Sequence, residues 1–225
     1  MGFRWSWGSW IFFSVFVLLW GNTVSASNGG SSDPEIIVLV HNSARISTKL
    51  VDEAELDTSR VFRAAGIAIT WVNCSGANGR VEDACHRTPG PKQYVLHIVA
   101  TGKTSSDLVF GLAFLDERGA GKYSDVFFDR IEEASRESGT DVSRLLGTVA
   151  AHELGHLLLG NHAHSFAGVM TPVWNGTTLR HEDMGCLFFT PQQGSMMRAR
   201  IANAEAAGFH ETSGGEAGWK FGRLP

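Results

Sequence analysis

Residues 148 to 170 read TVAAHELGHLLLGNHAHSFAGVM and hold four of the chain's nine histidines. His152 and His156 stand four apart, so on a helix both imidazoles leave one face a turn apart, the separation that lets two rings grip one ion. Glu153 lies beside the first of them. In an HExxH arrangement the expected ion is Zn2+, which acidifies water and polarises a carbonyl, while the glutamate takes a proton and later delivers it to the leaving amine. The plainer alternative, polar residues on an amphipathic helix, fares badly. Leu145, Leu146, Val149, Leu154, Leu157 and Leu158 surround the motif, and imidazoles and a carboxylate among leucines need partners. A catalytic zinc keeps three protein ligands and one open position, and both His162 and His164 compete for the third place.

The stretch resembles the metzincin metallopeptidases, whose pattern HExxHxxGxxH sets a glycine bend three residues after the second histidine and the third ligand three later. By that count His162 is the ligand, yet the bend position holds Leu159 and the glycine comes one late, at Gly160. A helix continued through Leu159 would carry the chain further before it returned. HELGHLLLGNHAHSFAGVM also looks like a group of small exported bacterial metzincin-like proteins, in which a variable triplet precedes an HS pair and a GIM-like ending. That resemblance favours His164 and leaves His162 in the triplet; both stay open as ligands.

By the same resemblance Met170 is the methionine of the Met-turn, a tight loop beneath the metal. MTPVW is similar to the matrixin segment M-x-P-x-Y, which implies that Pro172 and Trp174 wall the pocket for the substrate side chain after the cleaved bond, with Trp in place of Tyr. GLAFLDERGAGKYSDVFFDRI is similar to the matrixin edge strand and its neighbour. An unpaired edge around Gly111, Leu112 and Ala113 would take an extended peptide as one more strand. Two family features are missing: there is no room for a propeptide with a latency cysteine, and no cysteine cluster follows the third histidine as in archaemetzincins, which argues against that branch. The resemblance implies an α/β (α+β) zincin-like fold, a twisted mixed five-stranded sheet with two long helices and a smaller C-terminal helical subdomain.

The elements that would position these residues are legible in the pattern. EIIVLV is a continuous apolar run suited to a strand buried on both faces, and IAITWVN and YVLHIVA read as further strands. Between the first two, residues 47 to 65 have helical spacing with Ser47 as N-cap and Gly66 as the stop, so strand, helix and strand predict a parallel crossover unit. FGLAFLDERGAGKYSDVFFDRI predicts two short strands about a Gly turn. Two helices follow: DVSRLLGTVAAHELGHLLLG, capped by Asp141 or Thr140, and TPQQGSMMRARIANAEAA. His97 falls within a strand as a partly buried, satisfied residue, and His41, His86, His181 and His210 are read as solvated residues of loops or tail.

Length and composition allow one well-buried domain: 225 residues, 43% hydrophobic, net charge −4, with scattered cations that give no footprint for nucleic acid. The start, MGFRWSWGSWIFFSVFVLLWGNTVSASNGG, has an early Arg, an apolar core from Trp10 to Trp20 and a Val24-Ser25-Ala26 cleavage site, so residues 1–26 are read as a signal peptide. Its core is well short of the ~20 residues that span a bilayer, so no stable membrane anchor is expected after cleavage. Residues 27–35 would be a flexible linker, 36–207 the catalytic domain and 208–225 a loose tail. Export permits a disulfide, and Cys74 and Cys85 flank a Gly-rich polar loop that a bridge would tie down, leaving Cys186 single. Together these readings predict a secreted or periplasmic, monomeric zinc endopeptidase acting on peptide or protein substrates. The rivals are a non-catalytic zinc module, in which His162 and His164 both bind and close the shell, and a zinc hydrolase of a non-peptide bond.

Overall fold

A computed structural model of the chain describes residues 33–74, 83–102, 109–172, 174 and 186–213, the last nine as backbone only. The predicted signal peptide, His181 and the end of the tail lie outside the described residues.

Five strands form one mixed sheet: β1 (Glu35–Asn42), β2 (Ala68–Asn73), β3 (Gln93–Val99), β4 (Gly111–Phe114) and β5 (Tyr123–Phe127), in the order β2-β1-β3-β5-β4. All pairings are parallel except the outermost, where β4 runs antiparallel to β5. β1 is buried on both faces, with Ile36, Val38 and Val40 toward the main core and Leu39 toward the other side. That is the reason its sequence is continuously apolar rather than alternating. β1 extends past the predicted run and carries His41, which was expected in a loop.

Four helices are described: α1 (Thr48–Ala64), α2 (Phe128–Ser138), α3 (Val142–Leu159) and α4 (Pro191–Ser213), with a 3-10 turn at Asp83–His86. The Ser47 hydroxyl caps α1 by accepting from the Leu50 N–H, and Gly66 at φ 70° follows its end. α1 lies across α3, where the Thr58 hydroxyl is 2.9 Å from both the Ala54 and the Gly147 carbonyl oxygens. α2 is not anticipated by the sequence pattern, which carries the β5 strand reading on into FFDRI. Its apolar residues Phe128, Ile131 and Ala134 are three apart, a helical spacing, but Phe128 continues the apolar run that ends β5 and so hides where the helix starts. Packing decides it instead, and Gly139 in the left-handed region stops it.

α3 is buried nearly all round: Leu145, Leu146, Val149, Leu154, Leu157 and Leu158 are at most 1% exposed. Each such side chain stabilises the fold by about 1.5–3 kcal/mol. Of the two expected caps, Asp141 is the one that serves, its carboxylate accepting from the Ser143 and Arg144 N–H groups. α4 starts with a reciprocal capping box: the Thr190 N–H donates to Gln193 Oε1 and the Gln193 N–H donates to the Thr190 hydroxyl. It runs to Ser213, six residues past Ala207 where the sequence pattern ends, and its Met197 and Ile201 join the same core as the sheet.

Cys74 and Cys85 are bridged, with 5.6 Å between their Cα atoms, while Cys186 is free and exposed. The bridge packs with Leu39 and Val95 on the face of the sheet away from the helices. Closing a loop of this length stabilises the fold by roughly 2–4 kcal/mol. Among the described residues no helix is long and apolar enough to cross a membrane.

Candidate metal centre

α3 presents His152 and His156 on the face toward β4, and the chain that leaves it brings a third ring to them. The helix continues through Leu159, as the late glycine suggests, and Gly160 ends it at φ 80° with its N–H on the His156 carbonyl. His162, also at positive φ (62°), completes the turn, and His164 comes back over the helix. Ring centroids are 4.8 Å apart for His152 and His156, 4.7 Å for His156 and His164, and 5.5 Å for His152 and His164. The ligand atoms of these three all lie within 4.8 Å of one another. His162 is exposed at the mouth of the same cleft and does not belong to the triad.

The orientation of the first ring is fixed from behind. His152 Nδ1 lies 2.7 Å from the Val169 carbonyl oxygen, which can only accept, so Nδ1 carries the hydrogen and Nε2 keeps its lone pair. Nε2 of His152 and Nε2 of His156 face each other at 3.1 Å. Two nitrogens bound tetrahedrally at ~2.0–2.1 Å to one ion would be about 3.3 Å apart, so the pair fits a shared zinc. Burial pulls His152 down to about 4, against the Val169 carbonyl that favours its proton. Burial and the two neighbouring rings pull His156 down to about 3, and burial also lowers His164. All three are therefore neutral imidazoles at physiological pH, the form that coordinates a metal.

Glu153 is 6% exposed, and its carboxyl accepts the Ala113 N–H of β4. Burial pushes it up to about 8, with that N–H opposing. A Cβ at Gly111 would stand 2.6 Å from Glu153 Cγ and 2.7 Å from Oε1, so the glycine is what lets the edge strand close on the acid. Beneath the site Met170 is fully buried, and a Cβ at Gly155 would meet its Sδ at 2.6 Å. The loop at Met170 thus packs directly under α3, its backbone tied to the returning chain by Ser165 N–H on the Met170 carbonyl.

A cleft of about 420 Å³ opens over the triad between β4 and the loop at Pro172. Pro172, Trp174, Gly111, Leu112 and Ala113 all line it. Trp174 stacks on Phe110 at 6.1 Å and stands edge-on to His152 at 5.4 Å, so it belongs to the site wall and to the core at once. Two contributors are not anticipated from the sequence. The Val169 carbonyl carries no side-chain signal at all. Gln193, 7% exposed, donates from Nε2 to the Ala163 carbonyl between the two competing histidines, and the T-x-x-Q spacing before α4 is the clue that would have marked it.

No protein-family model matches the sequence, and no curated protein matches it. Among solved structures, archaemetzincin from Methanopyrus kandleri matches 76% of this chain and 97% of its own, at 17% identity and a TM-score of 0.43. The metal-binding geometry belongs to this chain's own histidines, gathered by one buried helix and the turn that ends it.

Proposed function

We propose that the chain is an exported zinc-dependent endopeptidase, with His152, His156 and His164 as the zinc ligands and Glu153 as general base. The observation that carries this reading is the 3.1 Å approach of two neutral Nε2 atoms beside a third ring, with a buried carboxyl next to them that no histidine uses. Three ligands leave one coordination position open, which is what separates a catalytic from a structural zinc. When bound, the ion supplies Lewis-acid chemistry, acidifying water and polarising a carbonyl oxygen.

The protein's own part is orientation and proton transfer. In its ionised form, which the charge of a bound ion would favour against the burial that raises it, Glu153 takes the proton of the attacking water at a carboxylate oxygen and passes it to the departing amine of the cleaved bond. The Ala113 N–H holds that carboxylate against β4, the last strand of the described sheet, along whose remaining outer backbone groups an extended peptide would pair. Leu112 and Phe114, each more than 40% exposed on that strand, would contact substrate side chains, and Pro172 and Trp174 would wall the pocket across the cleft. The signal-like N-terminus and the disulfide support export.

The test is metal removal and return. Chelator-stripped mature protein is expected to lose cleavage of an unfolded protein substrate and to regain it with one equivalent of zinc. A cobalt-substituted form should change its absorption spectrum on adding a hydroxamate, because an open position accepts the inhibitor. No cleavage of any protein by the zinc-loaded chain, or a spectrum indifferent to hydroxamate, would contradict the reading.

A further inference from the structure

A second group of histidines sits on the opposite face of the sheet. His41 on β1 and His97 on β3 are direct partners in the parallel register, and Asp125 on β5 is the partner of His97 on its other side. They share the parity of Leu39 and Val95, which pack with the disulfide, and not that of Val40 and Leu96, which face the helices. The rings of His41 and His97 meet edge-to-face with centroids 4.9 Å apart, nearly the spacing of the His152 and His156 pair. His86, at the end of the 3-10 turn beside Cys85, lines the same cavity of about 340 Å³.

The neighbouring carboxylate settles which nitrogen of His97 is available. Asp125 Oδ1 lies 3.3 Å from His97 Nδ1, an ion-pair distance at which an acceptor-only carboxylate favours a hydrogen on that nitrogen and leaves Nε2 as the ring's coordinating atom. A carboxylate behind an imidazole is the usual outer partner of a metal-bound histidine, where it fixes the tautomer and raises the basicity of the ring. Three histidines supplied by a strand, a neighbouring strand and a turn tied down by a disulfide are a donor set for a borderline divalent ion.

We propose that His41, His86 and His97 form a second metal site, for a divalent ion of the zinc and copper class, with Asp125 holding His97 in the coordinating tautomer. Among the described residues only the cleft rings have ligand atoms gathered within 4.8 Å; here His41 and His97 are in contact, and the exposed His86, lining the same cavity, would have to turn inward to close the set. Metal binding there would clamp the disulfide-tied turn onto β1 and β3, so its role is structural and independent of the cleft.

The test counts metal on the untagged mature chain after dialysis against micromolar zinc and then metal-free buffer. His86→Ala and His97→Gln are each expected to hold one zinc fewer than the wild type, whereas His164→Ala keeps that equivalent. Titration with Cu2+ should give an electron paramagnetic resonance signal with nitrogen splitting that His86→Ala removes. Because His86 is exposed, its substitution leaves the sheet intact and decides the matter even if His97→Gln does not fold. Equal metal content in wild type and His86→Ala, with an unchanged copper signal, would overturn the proposal.

Discussion

Two pairs of imidazoles flank one sheet at almost the same spacing, 4.8 Å between His152 and His156 and 4.9 Å between His41 and His97. What differs is where the nearby carboxyl goes. On the outer face Asp125 stands behind His97 and is used up in orienting it. In the cleft the orienting role falls to a backbone carbonyl, Val169, and Glu153 is left beside the rings with an N–H of the edge strand as its partner. On the proposed reading the cleft carboxyl can serve as a base because the loop at Met170, and not Glu153, orients the first ring.

The sharpest way to break this comparison is to remove the third cleft ring. His164→Ala is expected to lower zinc occupancy of the cleft to a small fraction, leaving any zinc held elsewhere, and cleavage by more than ~100-fold, since loss of a direct ligand exceeds the 10–100-fold typical of outer-shell partners. His162→Ala should leave both within a few-fold. The reverse pattern in zinc analysis would move the ligand to His162. A smaller effect should come from the wall of the acid. In Gly111→Ala the new Cβ must displace Glu153, with the Asp125 carbonyl 2.9 Å away on the other side, so cleavage should fall roughly 10- to 100-fold with zinc content unchanged.

The smallest effect tests whether burial of a carboxyl is enough to make it functional. Glu55, between α1 and the sheet, is pushed up to about 7 by burial, with Asn73 hydrogen bonding opposing and Asp52 reinforcing. It has no histidine neighbours to serve. Its folded-state value lies above the unfolded 4.5, so the stability it contributes is full below pH 4.5 and is lost as pH rises through 7. Glu55→Gln should therefore melt higher than the wild type at pH 8 and no differently at pH 4.5. Discounted for its partial exposure, the gain is about 1 kcal/mol, or roughly 2–4 °C in Tm. Activity of this variant should be that of the wild type.

Much of the centre was legible because its signals are local. HExxH needs only the helical period, and the delay of the glycine to Gly160 signalled a longer helix and a later return, which is how α3 ends. β1, α1 and the Ser47 cap were readable for the same reason: a continuous apolar run, a helical period and a cap each lie within a few residues. α2 was not, because its first residue, Phe128, continues the apolar run of β5 and conceals the change from strand to helix. The choice between His162 and His164 as members of the gathered rings depends on two positive-φ residues and on Gln193 reaching Ala163 from thirty positions away. Nor could the row from His41 through His97 to Asp125 be seen in one dimension, since the sheet order that aligns β1, β3 and β5 is a property of the fold.

The measurement that bears most directly on the whole account is the zinc content and cleavage rate of Glu153→Gln, compared with the wild type under the same conditions. The amide keeps the shape of the side chain and can accept the Ala113 N–H, so zinc should stay at one cleft equivalent while cleavage falls by about 100-fold or more. Cleavage that persists at the wild-type rate, with zinc in place, would contradict the role assigned to this carboxyl and with it the enzymatic reading of the cleft.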